Sequence, residues 1–302
     1  MGRRTPEEIA KAISALRDLY IPHLEGGRVI ESLRRLTQYG SGGSSAAAGI
    51  ICGDAGVGKT SALLAWMSGY PVVPDSPADI RKVALAKMTG GKTTFRTAAL
   101  DLLRAFGDFE VRARATAFDL IECLILRIRQ QQTMLLAIDE AQLIVSSKEK
   151  RVLFDVLEWL KTLLNDSPCP LVFIGSEELL NCLHSNPSFY RRVEEVVVVR
   201  PYDWSDPAGR TDFRKLCAGI DHNIPHLRPA GLEEPEMATR LFLACGGKVG
   251  LLKRLLVTAT QIALERDAES LTLELLAEAF TKSGPEGKNP FVRRPNGRPE
   301  GR

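Results

Sequence analysis

The segment Gly53-Asp54-Ala55-Gly56-Val57-Gly58-Lys59-Thr60-Ser61 constrains this chain more than any other. Its first eight residues satisfy GxxxxGK[ST] in full. The apolar run Gly49-Ile50-Ile51-Cys52 precedes it and the helix-prone stretch Ser61-Ala62-Leu63-Leu64-Ala65-Trp66-Met67 follows. Glycines let such a loop wrap closely around phosphates with its backbone N–H groups aimed inward. The helix that follows adds the positive end of its dipole. Lys59 then supplies a mobile charge for the β- and γ-phosphates, and Thr60 a hydroxyl for Mg²⁺. A Gly-rich strand-to-helix turn without a ligand is the alternative. Motif and flanks together favour a site for ATP with Mg²⁺.

A second element lies some eighty residues on, where the apolar run Met134-Leu135-Leu136-Ala137-Ile138 ends in Asp139-Glu140. Asp139 is placed to hold the Mg²⁺ sphere, and Glu140 to polarise an attacking water as general base. A third apolar run, Leu171-Val172-Phe173-Ile174, ends in Gly175-Ser176. In a parallel sheet ligands lie at the carboxyl ends of strands, so Ser176 reads either as a group reaching the γ-phosphate or as the cap of a helix starting at Glu177. The adjacent Arg191-Arg192 pair reads either as the source of an arginine finger for a neighbour's γ-phosphate or as a surface ion-pairing couple.

Short apolar runs at 47–52, 83–85, 134–138, 171–174 and 195–199 alternate with helical patterns at 59–68, 95–106, 114–130 and 150–165. That alternation predicts an α/β domain with a parallel five-stranded sheet flanked by helices. Beyond Pro201 only helical patterns remain, at 208–219, 233–244, 248–265 and 272–281, which predicts a small all-α domain. The expected organisation is an N-terminal helical segment over 1–39, a nucleotide-binding core over 40–200, a helical lid over 201–282 and a disordered basic tail over 283–302.

The net charge of +3 sits entirely in that tail, and the preceding 282 residues carry 35 basic and 35 acidic side chains. Global charge therefore makes no case for nucleic acid. The six cysteines include no CxxC pair, which argues against a zinc site or a disulfide framework and for reduced thiols. No run of about 18 apolar residues occurs, and the N-terminus lacks a signal-peptide core. A cytoplasmic protein without a membrane contact is expected.

The P-loop, the Ile138-Asp139-Glu140-Ala141-Gln142 run, the strand ending in Gly175-Ser176, Arg192 before a hydrophobic residue and Gly246-Gly247-Lys248-Val249-Gly250 heading a lid helix together resemble AAA+ ATPases of the TniB/TnsC group, regulators of DNA transposition related in role to MuB. The resemblance covers about residues 30–282. It implies a P-loop AAA+ core with a helical lid and ATP-bound self-oligomers, as filaments or rings, on double-stranded DNA. It further implies recruitment of a transposase, for which the C-terminal tail is a candidate contact, dealings with a target-selection protein, and disassembly on hydrolysis. Arg192 matches the group's finger position. DNA contacts fall in the segment after the second strand, here 81–96, which makes Lys87, Lys92, Thr94 and Arg96 the candidates. Residues 81–100 hold five basic and no acidic side chains, as phosphate contacts require. A solvated helix start is the alternative. One departure concerns the lid, where Gly250 replaces the arginine many AAA+ proteins place there, leaving Lys253 or Arg254 as substitutes. A helicase-loader or secretion-type AAA+ protein, and a nucleotide-gated binding module with negligible turnover, are the competing functions.

Overall fold

The structure, a computed structural model, describes residues 4–41, 47–75, 78–90, 94–108, 115–145, 150–167, 169–285 and 287–292. In chain order the elements are α1 (Pro6–Asp18), α2 (Leu24–Ser41), β1 (Ala48–Gly53), α3 (Lys59–Met67), β2 (Val83–Lys87), α4 (Phe95–Arg104), α5 (Ala117–Gln130), β3 (Leu135–Asp139), α6 (Gln142–Val145) and α7 (Lys150–Asp166). There follow β4 (Leu171–Gly175), α8 (Glu177–His184), α9 (Pro187–Tyr190), β5 (Val193–Val199), α10 (Pro207–Asp221), α11 (Pro235–Cys245), α12 (Val249–Glu265) and α13 (Leu273–Ser283). None of the described helices is long and apolar enough to cross a membrane.

Two compact units emerge: Met1–Leu24 with Gly56–Gly58 and Pro201–Arg302, and Glu25–Ala55 with Lys59–Arg200. The expected N-terminal segment over 1–39 is thus divided. Helix α1 belongs with the C-terminal helices, and all but the first residue of α2 with the sheet.

In the sheet unit the strand order is β2-β3-β4-β1-β5 and every pairing is parallel. Every residue of β1, β3 and β4 is buried, as strands covered on both faces must be. Ile50, Leu136, Ile138 and Phe173 pack with Leu124, Leu160, Leu163 and Phe189 from the flanking helices. Gly49 admits α2 to this core, since a Cβ there would stand 2.4 Å from Leu36 Cδ1. Parallel strands put all five carboxyl ends on one rim, which is where β1, β3 and β4 deliver Gly53, Asp139 and Gly175.

The helices start where their caps dictate. Thr5 and Glu8 form a reciprocal capping box before α1, Thr116 and Asp119 do so before α5, and Thr272 caps α13. Helix α11 stops at Gly246, whose φ of 58° is the left-handed cap conformation. The helical unit is built on Phe213, Leu216, Leu241, Leu252, Leu256 and Leu276. Buried Asp221 accepts from the N–H groups of Ala230, Gly231 and Leu232 and so ties down the α10–α11 connection.

The chain remains folded past the expected start of the tail at 283. Phe291 is only 2% exposed and packs against Phe280. Asn289 Nδ2 donates to Ala277 O at 2.7 Å, and Arg240 donates to Pro290 O at 2.5 Å. Burying one aromatic ring offsets the ordering of a Gly/Pro-rich segment that composition alone assigns to disorder. The stretch proposed as a free transposase contact therefore begins no earlier than residue 293, outside the described residues.

Candidate nucleotide site

The loop after β1 needs its glycines at particular places. Gly53, Gly56 and Gly58 have φ of 145°, 82° and 100°, values that disfavour any side chain. A Cβ on Gly53 would also fall 2.1 Å from Val199 O on the neighbouring strand. At the loop's end Lys59 begins α3 and folds back, its Nζ donating to Gly53 O and Asp54 O at 2.8 Å each. Burial lowers the Lys59 pKa from its ordinary value, and the nearby Asp139 and Glu140 carboxylates oppose that shift. Partial desolvation strengthens the ammonium's pull on an anion.

One residue further, Thr60 Oγ1 donates to Asp139 Oδ2 at 3.0 Å. Two elements 79 residues apart in sequence thus present a hydroxyl and a carboxylate to the same point. Asp139 is 7% exposed. Hard oxygen ligands of this kind, few in number and completed by phosphate oxygens, suit Mg²⁺. Glu140 follows with φ of 56°, a left-handed conformation rare outside glycine and asparagine. Its N–H donates to Asp139 Oδ1 at 2.9 Å, and its carboxylate accepts from Gln142 Nε2 at 2.5 Å.

At the end of β4, Ser176 starts α8, yet its side chain makes no capping bond. Its Oγ is buried with no hydrogen-bond partner among the described residues. A buried hydroxyl without a partner is costly, and this one is left over at the strand end where a ligand oxygen would satisfy it. The residues present therefore fit a Mg²⁺–nucleoside triphosphate.

Other candidates stand elsewhere. Arg192 is engaged within its own chain: Nε and Nη2 donate to Asn165 Oδ1 at 3.1 and 2.8 Å, and Nη1 to Ser188 O at 2.5 Å. Arg191 beside it is exposed and carries no ion pair or side-chain hydrogen bond among the described residues. Both precede β5, which runs parallel to β1 with Ala48 opposite Val193 and Gly53 opposite Val199. The pair thus sits at the opposite rim from Lys59, about 20 Å away for a seven-residue strand.

Of the candidate DNA contacts, Lys87 is exposed at the end of β2, in register with Asp139. Thr94 is the N-cap of α4, accepting from Thr97 N–H. Arg96 donates to Ala115 O at 2.8 Å. Lys92 lies outside the described residues. Buried Asp101, which sequence reasoning passed over, holds the β2–α4 connection by accepting from Thr89 N and Thr89 Oγ1.

Within the helical unit, which includes Gly56–Gly58, Gly250 N donates to Gly56 O at 2.6 Å, and a Cβ on Gly250 would lie 2.9 Å from that oxygen. The glycine that replaces the usual lid arginine is there because no side chain fits. Neither substitute is available. Lys253 donates to Arg17 O and Leu19 O at the end of α1, and Arg254 to Ser283 O at the end of α13. Both cations cap helix C-termini.

This architecture is the P-loop AAA+ fold: a five-stranded parallel sheet with flanking helices, Lys59 and Thr60 at the end of β1, and a helical C-terminal part. Residues 42–183 match the family model described as an AAA domain. No curated protein sequence matches this chain. Among solved structures, the chain is similar to the Aeropyrum pernix ORC2 protein in its ADPNP–ADP complexes, with 16% identity over 89% of this chain and 71% of that one and a TM-score of 0.62. It is likewise similar to the Aeropyrum pernix ORC1 protein in complex with DNA (18% identity, 90% and 68% coverage, TM-score 0.62) and to Cdc6p from Pyrobaculum aerophilum (14%, 89% and 70%, 0.59).

Proposed function

We propose that this chain is a Mg²⁺-dependent ATPase whose ATP-bound subunits assemble on double-stranded DNA, and that it regulates DNA transposition. The observation that carries the ATPase reading is the 3.0 Å bond between Thr60 and Asp139, made beside a half-buried Lys59. Lys59 would hold the β- and γ-phosphates, Glu140 would take a proton from the attacking water, and Ser176 Oγ would meet a γ-phosphate oxygen or that water. Mg²⁺, held by Thr60 and Asp139, would neutralise charge developing on the phosphates.

Self-assembly is supported by the arginine pair. Both arginines lie too far from their own chain's Lys59 to complete its site, so a finger must serve a neighbouring subunit. Arg191, exposed and without an ion pair among the described residues, is the better donor, and Arg192, bound to Asn165 and Ser188, anchors it. Support for DNA comes from exposed Lys87 in a stretch without acids, and from the likeness to an ORC1 protein solved with DNA. The transposition role, with a transposase and a target-selection protein as partners, rests on the motifs shared with the TniB/TnsC group. A second reading is a helicase-loader type of AAA+ protein, with which the Asp139-Glu140-Ala141-Gln142 run is also compatible.

Electron microscopy with duplex DNA and a slowly hydrolysed ATP analogue tests assembly, with filaments or rings expected and isolated monomers against it. Stimulation of strand transfer by a transposase encoded beside this chain, rather than loading of a helicase, decides between the two roles.

A further inference from the structure

We propose that Gln142 is a positioning residue for ATP hydrolysis, holding the Glu140 carboxylate in line through a fixed link to the end of β4. The inference rests on the ATPase reading above. Gln142 opens α6, two residues after Glu140, and its side-chain amide is used at both ends. Nε2 donates to Glu140 Oε2 at 2.5 Å, and Oε1 accepts from Ser176 N–H at 3.3 Å. The amide orientation follows from these partners, because a flipped amide would set oxygen against carboxylate and NH₂ against N–H.

The backbone makes room for this arrangement. A Cβ on Gly175 would stand 2.5 Å from Gln142 Oε1 and 3.1 Å from Gln142 N. Gly175 therefore admits the link, and its φ is not in the left-handed region, so the need is for space alone. Glu140 itself is held by little else: its backbone is left-handed and its N–H points to Asp139. A carboxylate with rotatable bonds makes an efficient general base only when held in line with its water. With Oε2 occupied by Gln142, Oε1 is the oxygen left to accept the water's proton. The same amide binds the residue whose orphaned hydroxyl we place against the γ-phosphate, so the base and the Ser176 hydroxyl move as one piece.

Gln142→Glu in the full chain separates positioning from mere support. It keeps the length and the acceptor for Ser176 N–H, and replaces the donor facing Glu140 with a second carboxylate. With ATP, Mg²⁺ and duplex DNA, kcat should fall by roughly ten- to a hundredfold while KM and nucleotide Kd stay within about threefold. Gln142→Leu should give a similar loss, and Gln142→Asn a partial one. Gly175→Ala should reproduce the loss from the other side of the contact, with Gln142 itself unsubstituted. In a Glu140→Gln background, Gln142→Glu should cause no further drop, because its effect passes through Glu140. An unchanged kcat in folded Gln142→Glu, or a rise in KM alone, overturns the role given to Gln142 and leaves the ATPase reading intact. No turnover in the unmutated chain refutes the ATPase reading and this inference with it.

Discussion

Phe291→Ala measures how firmly the segment after α13 is docked. The ring is almost fully buried against Phe280, and its neighbours contribute two further bonds, Asn289 to Ala277 O and Arg240 to Pro290 O. Transfer of the ring to water costs about 2 kcal/mol. At an interior position the cavity left behind would raise a Phe→Ala loss to about 3–5 kcal/mol. Here the segment follows the last described helix and can lift away without unravelling it. The loss is then limited to the net docking free energy, which is smaller than the ring and the two bonds together because ordering the segment offsets part of them. The expectation is about 1–2 kcal/mol, or a fall of roughly 5 °C in the melting temperature of the helical unit. Calorimetry on Phe291→Ala and on a chain ending at 286 reads it directly, and the two should coincide. A silent Phe291→Ala, or one costing clearly more than removal of the whole segment, refutes the reasoning.

Glu140→Gln should leave nucleotide affinity intact while cutting turnover by at least about a hundredfold, so that ATP-bound assemblies persist on DNA; normal hydrolysis by this variant removes the general-base role. Lys87→Ala should weaken duplex binding and flatten the plot of log K against log salt by about one unit of slope; an unaltered slope takes Lys87 off the DNA surface. Arg191→Ala should lower turnover of the assembly without altering the melting temperature, whereas Arg192→Ala should lower the melting temperature by freeing Asn165 and Ser188; the opposite pattern makes Arg192 the finger. Arg35 donates two hydrogen bonds to Glu195 and holds its carboxyl below the ordinary value of 4.5. A depressed folded-state pKa stabilises above the unfolded value and ceases to do so as pH falls through the folded one. The stability gap between Arg35→Ala and the parent should therefore be full near neutrality and close below about pH 4; a gap independent of pH refutes that linkage.

What could be read from residues alone was whatever depends on short, fixed spacing. The phosphate loop is contiguous, and the acids end an apolar run, so strand, turn and ligand types announced themselves together. What escaped depends on meetings across the fold. Gln142 was visible beside Glu140, but its second partner is 34 residues away. Arg192 looked available because nothing nearby in sequence announces Asn165, 27 residues earlier. Lys253 and Arg254 looked free to reach a phosphate because the helix ends they cap belong to α1 and α13. Thr94 and Thr89 carry hydroxyls that suit a phosphate backbone, yet one caps α4 and the other binds Asp101. Phe291 was hidden by its Gly- and Pro-rich surroundings.

The arginine pair precedes β5 at one rim of the sheet, and the residues that would hold ATP stand at the other. On the proposed function, such a subunit would give with one face and receive with another. Association would then be head-to-tail rather than face-to-face about a two-fold axis, leading to rings if the rotation closes and to open helices if it does not. In an open helix of n subunits only n − 1 sites are completed by a neighbour. One terminal subunit holds ATP without an arginine, and the other offers an arginine to nothing. On the proposed function, turnover per subunit would rise with length toward a plateau, and the two ends of an assembly would exchange subunits at different rates.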